Sequence, residues 1–212
     1  MDARKLYTQV VRDLTEGAAN RFVDRAEAGP VDIEALRRIA GEEYRIICAD
    51  ERSFALLAAR FPDSAPLFLA LASGEARALE LLTLYAEAVG MGAAELRGYP
   101  PVAAAQGYPH HLAWLAQFGS RAEVALALLV NFGFWGGYCG RFAQALRTHH
   151  DLTEDQVSFF TFFSAPPPGF EDAALTLLQT GLDGGDDQEG AKTAARLMQS
   201  YELAFWDALP TS

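Results

Sequence analysis

The chain has 212 residues, half of them hydrophobic, with a formal charge of −11 and a pI near 4.8. That length and apolar content fit one helical domain over residues 1–212 with a large core. The acidity argues against a nucleic-acid partner, because phosphate binding needs a basic face and no cluster of Lys or Arg supplies one.

The N-terminus, "MDARKLYTQVVRDLTEG", lacks an apolar signal core, and no uninterrupted apolar run reaches the roughly 18 residues of a membrane helix. The expectation is a cytoplasmic protein with no membrane partner. Cys48 and Cys139 stand far apart in apolar surroundings and are expected to be reduced thiols. No C-x-x-C or H-x-x-x-H spacing occurs, and the adjacent pairs His110–His111 and His149–His150 point in different directions on a helix. No metal is expected, and no cofactor.

Apolar residues recur at three and four positions along the whole chain, which predicts an all-α fold. A first helix is expected over 2–27, stopped by Gly29–Pro30, and a second over 32–60, capped by Asp32 and ended by Phe61–Pro62. Asp63 or Ser64 opens a third, running to about 90, and residues 91–107, rich in Gly and Pro, form a connection with one short helix. Helices follow over 108–118 and 121–148, the second carrying a capping-box signature in Ser120 and Glu123. Thr153 is a cap candidate for a helix ending before Pro166, and two more helices cover 169–182 and 187–208. Between these last two, "DGGDDQEG" reads as a solvated loop whose spacing departs from a calcium loop. One compact helical bundle accommodates all of this.

Polar residues that interrupt apolar faces are the candidates for chemistry. Within "ALLVNFGFWGGYCGRFAQAL", Asn131, Trp135 and Cys139 follow one another at single-turn spacing, with Tyr138 beside them and glycines at 133, 136, 137 and 140. A buried amide without partners costs about 1–3 kcal/mol and a helical glycine up to about 1 kcal/mol, so a neighbour or a ligand must compensate. Asp50 borders the stripe Tyr44, Ile47, Phe54, Leu57 and Phe61. It is either a helix-edge carboxylate paired with Arg45 or Arg52, or an acceptor pointing into a pocket. Glu202 shares a face with Phe205 and Trp206; burial against such walls would raise its pKa and suit it to proton transfer, whereas exposure would make it ordinary surface.

Four segments resemble the TenA family, the thiaminase II and thiamin-salvage proteins. "NRFVDRAEAG" resembles its His-Pro-Phe-Val helix end, "ICADERSFALLAARF" its Tyr-Leu-x-Gln-Asp segment, and "GSRAEVALALLVN" its Ala-Glu and Leu-Leu-Pro-Cys run. "SYELAFWDAL" is similar to the terminal Tyr-Glu-x-x-Phe-Trp motif and is the most specific of the four. The resemblance implies a heme-oxygenase-like helical bundle. It places Asp50 on the aspartate that binds an aminopyrimidine amine, Glu202 on the catalytic glutamate, and Tyr108 and Trp135 on pocket aromatics, with Tyr138 nearby and Phe162 or Phe163 at a further aromatic position. Asn131 falls on the nucleophilic cysteine and Ser53 on a stacking aromatic.

A carboxamide is no useful nucleophile. Cys139 lies about 12 Å further along the helix, so it could serve only a ligand bound elsewhere. The implied function is binding of a small aromatic heterocycle, such as an aminopyrimidine related to thiamin breakdown, with hydrolysis assisted by Glu202 and using water rather than a thiol. The alternatives are a cofactorless oxidase of the same fold resembling PqqC, or a non-enzymatic ligand-binding or regulatory member. The di-iron and heme branches of the fold are disfavoured by the lack of histidine in the relevant helices. The resemblance also implies a homo-dimer or homo-tetramer.

Overall fold

A computed structural model describes residues 2–209 and consists of helices, turns and loops, with no strand among the described residues. The expected first helix is two. α1 (Ala3–Thr15) is capped by Asp2, whose carboxylate accepts from the Lys5 amide at 2.9 Å, and α2 (Arg21–Ala28) is capped by Asn20, accepting from Val23 at 3.0 Å. Helical periodicity runs through the joint, but a capping Asn favours a fresh N-terminus over a helix interior. The Tyr138 hydroxyl also donates to the Ala18 carbonyl at 2.6 Å and takes that group out of the helical ladder.

α3 (Ile33–Arg60) starts at Asp32, and α4 (Ala65–Ala88) follows a 3-10 turn over Pro62–Ser64. The two pack along their length. The connection after α4 holds α5 (Ala93–Gly98) and a 3-10 turn, Ala103–Gln106. It is clamped onto α3 by the buried Glu42, which accepts from the Tyr99 hydroxyl at 3.0 Å and the Val102 amide at 2.8 Å, and also from Gln106. Gly41 admits the Tyr99 ring: a Cβ there would stand 2.3 Å from a ring carbon.

α6 (Gly107–Phe118) leads into α7 (Arg121–His149), whose capping box forms as expected: Ser120 N–H donates to Glu123 at 2.7 Å and Glu123 N–H to Ser120 Oγ at 3.3 Å. Among the described helices α7 alone is long and apolar enough to cross a membrane by length and composition. Here it is the central helix, packed against α9 (Phe170–Asp183) and α10 (Gln188–Asp207). α8 spans only Ser158–Phe163; Thr153 organises a preceding turn with Gln156 instead of opening the helix. The acidic loop before α10 is structural: Asp186 accepts from the Ala122 amide at 2.9 Å, and Asp187 caps α10 through Glu189 and Gly190.

The core forms two apolar clusters. One gathers Phe22, Tyr85, Phe142, Phe160 and Trp206, the other Leu6, Phe54, Phe68, Leu126 and Leu178. Tyr108 packs against both and so marks their seam.

Candidate functional site

An interior cavity with about 550 Å³ of atom-free space, solvent at its mouth included, opens along that seam. α3 contributes Glu43, Ile46, Ile47, Asp50 and Phe54, which recur at three and four positions and therefore form one face. Across it stand Glu75 from α4, Tyr108 from α6, and Asn131, Phe132 and Trp135 from α7. Phe163 from α8 and Glu202 and Phe205 from α10 complete the lining. Six of the seven residues expected from the sequence thus share one hollow although they span 153 positions, from 50 to 202.

Tyr138 is the exception. It does not line the cavity, because its hydroxyl is engaged by Ala18 and receives a 3.2 Å bond from Gln199. Cys139 is fully buried in the core, its thiol pKa raised well above the ordinary value by burial and by the charges of Glu43 and Glu202, and it too stands off the lining. It has neither the access nor the thiolate character of a nucleophile. Ser53 is buried, and its hydroxyl turns back to the Ala49 carbonyl at 3.0 Å. Arg45 does not pair with Asp50; it donates to the carbonyls of Arg97 and Tyr99.

Of the α7 glycines, Gly136 has a packing reason. A Cβ there would come within 2.9 Å of the Phe163 carbonyl, so its absence brings α8 onto α7 and sets Phe163 beside Trp135. Trp135 is held by rings on three sides, with centroids 6.2 Å from Phe163, 5.9 Å from Phe205 and 5.4 Å from Trp206. Rings so wedged give a rigid aromatic wall.

The polar side is acidic. Asp50 and Glu202 are 3% and 2% exposed, and each has one oxygen, Oδ1 and Oε1 respectively, with no partner. Asn131 donates through Nδ2 to Glu202 Oε2 at 2.7 Å. Burial raises the Glu202 pKa well above the ordinary carboxylate value, and the Asn131 bond opposes that rise. Burial lifts Asp50 to about 8, with hydrogen bonding from Tyr108 pulling the other way. Glu43 and Glu75 were not anticipated from the sequence. Both are raised well above normal, first by burial and then by neighbouring carboxylates, Asp50 foremost among them. Their signal lies in the apolar stripes: Glu43 precedes Ile47 and Asp50 by one and two turns, and Glu75 sits between Leu71 and Ala78. No Lys, Arg or His lines the cavity.

Carboxyls whose pKa burial raises can donate as well as accept hydrogen bonds, and Glu202, which lines the cavity with Trp135 and Phe163, has one oxygen free to do either. No group of three or more His, Cys, Asp or Glu side chains converges to hold a metal among the described residues.

No family model and no curated protein matches the sequence. Solved structures share its fold. A domain of unknown function with a heme-oxygenase-like fold from Shewanella denitrificans OS217 is 15% identical, with a TM-score of 0.71, covering 97% of this chain and 89% of that one. A TenA homologue protein from P. horikoshii OT3 is also 15% identical at 0.71, covering 97% and 94%. A TenA homologue from Pyrococcus furiosus is 20% identical at 0.71, covering 98% of each chain. The chain therefore has the heme-oxygenase-like helical fold that TenA homologues share.

Proposed function

We propose that this TenA-like chain binds a small aromatic nitrogen heterocycle bearing an exocyclic amine, of the aminopyrimidine type related to thiamin breakdown. The observation that carries this reading is the pair of unpartnered, buried oxygens, Asp50 Oδ1 and Glu202 Oε1, in one cavity also lined by Trp135 and Phe163. A flat ring fits against the aromatic wall while its amine donates to Asp50, which Tyr108 holds in place. Satisfying those oxygens removes a desolvation cost of about 1–3 kcal/mol each, which favours a ligand with donors over a plain hydrocarbon.

Where turnover follows binding, water attacks the ring carbon bearing the exocyclic amine, the C–O bond forms as the C–N bond breaks, and ammonia departs to leave the hydroxypyrimidine. Glu202 takes the water's proton and passes it to the departing nitrogen. Asn131 holds Glu202 and supplies no electron pair of its own. A second reading, binding without turnover, is favoured by that same bond, since an amide stands where the resemblance places a thiol.

The test is calorimetric titration with 4-amino-2-methylpyrimidine and with 2-methylpyrimidine, followed by product analysis. The amino compound is expected to bind about tenfold tighter or more, and Asp50→Asn and Glu202→Gln are each expected to weaken it about tenfold. Equal affinity for both compounds, or no binding of either, overturns the proposal; binding without product selects the second reading.

A further inference from the structure

A ring with one amine leaves half of the cavity's acids unused. Asp50 has Tyr108 as a donor and Glu202 has Asn131, but Glu43 and Glu75, 3% and 7% exposed, have no hydrogen-bond or ion-pair partner among the described residues. An unpaired buried carboxyl is costly whenever it ionises, and a leucine at either position would extend the surrounding apolar stripe without that cost. Violations of core patterning of this kind concentrate at functional sites.

The compensating charge must come from outside the chain, because no basic side chain lines the cavity. A single metal ion does not fit, since no three potential ligands converge among the described residues. The acids instead reach the cavity from three helices, Glu43 and Asp50 from α3, Glu75 from α4 and Glu202 from α10. Glu43 and Asp50 stand two turns apart on α3, about 10 Å along its axis. Glu75 looks across from α4 within the electrostatic reach of both. A ligand matching this spread carries positive charge at two separated points, with an apolar body between them for Ile46, Ile47 and the aromatic wall.

We propose that Glu43 and Glu75 form a second recognition subsite, and that the cavity takes an organic dication in which an apolar or aromatic body joins two cationic nitrogen groups. The proposal rests on the reading of the cavity as a small-ligand site. One nitrogen group pairs with Asp50 and Glu202 and the other with Glu43, with Glu75 within electrostatic reach of both ends. The acids release protons as the cations arrive, so binding tightens as pH rises.

The experiment titrates the protein with p-xylylenediamine, benzylamine and 4-amino-2-methylpyrimidine, in two buffers of different ionisation enthalpy. The diamine is expected to bind about tenfold tighter than benzylamine, the yield of one additional charge-assisted contact, and to release protons into the buffer. Glu43→Gln and Glu75→Gln, each checked for folding by thermal melting, are expected to reduce that preference to about threefold or less. Equal affinity for the two amines, or a preference that survives in both variants, overturns the proposal. So does stabilisation of the protein by Mg²⁺ or Mn²⁺ with no response to the diamine. If 4-amino-2-methylpyrimidine fails to bind while the diamine discriminates, the heterocycle reading falls and the subsite stands. If the aminopyrimidine binds while the two amines are not distinguished, the subsite falls and the heterocycle reading stands.

Discussion

Asn131 Nδ2 lies 2.7 Å from Glu202 Oε2, joining the middle of α7 to the last turns of α10 inside the acidic cavity. It is the only side chain that donates to Glu202 among the described residues. Asn131→Ala is therefore expected to leave both oxygens of a buried carboxyl without a side-chain donor and, where Glu202 is ionised, to lower stability by about 1–3 kcal/mol. The loss grows with pH, because the penalty applies to the ionised form. Urea unfolding at pH 6 and pH 8 measures it, and a variant as stable as the parent at pH 8 contradicts the role assigned to the amide.

The cavity acids predict an unusual pH dependence. Asp50, Glu43, Glu75 and Glu202 all have folded-state pKa values above their unfolded ones. Their linked contribution to stability is fully present below the unfolded values, near pH 4, and is lost as pH rises through the folded values; for Asp50 that window runs to about 8. Glu27 and Glu95 shift the opposite way, but both are exposed and contribute little. Burial lowers the pKa of His111 and His150, which opposes this loss below their ordinary value of 6.5, so the unliganded protein should weaken from about pH 6.5 to pH 8 in urea titrations, and Asp50→Asn should flatten the slope. A parent curve that rises over this interval rejects the prediction.

Two neighbouring glycines on α7 should respond in opposite directions to alanine. At Gly136 the new methyl meets the Phe163 carbonyl at 2.9 Å, and the resulting displacement of α8 is expected to cost about 1–3 kcal/mol. At Gly137 nothing lies within 4 Å, so the helical propensity of alanine should add up to about 1 kcal/mol. Chemical denaturation of the two variants decides it, the informative outcome being their difference in sign.

The thiols should differ in reactivity. Cys48 is partly exposed, whereas Cys139 is fully buried with a strongly raised pKa. Iodoacetamide is expected to label Cys48 in the native protein and to reach Cys139 only on unfolding. Native labelling of Cys139, read by peptide mass spectrometry, would show that the core opens there.

Helix class and most helix limits were legible in the sequence, because a stripe of apolar residues with a polar cap at its start is a local property. Asp32, Ser120 and Glu123 act through neighbours within three residues and do what their positions imply. The joint between α1 and α2 was less legible, since part of its cause lies in Tyr138, 120 residues from the carbonyl it binds. Asp50 and Glu202 could be singled out as acids beside apolar stripes, yet the stripe is the same whether such an acid edges into solvent or faces a hollow. Only tertiary packing brought them together with Tyr108, Asn131, Trp135 and Phe163, turned Tyr138 away, and added Glu43 and Glu75. Periodicity records which face of a helix is covered; the identity of the covering groups, and with it the burial that is the first cause of each raised pKa in the cavity, is set by residues far away in the chain.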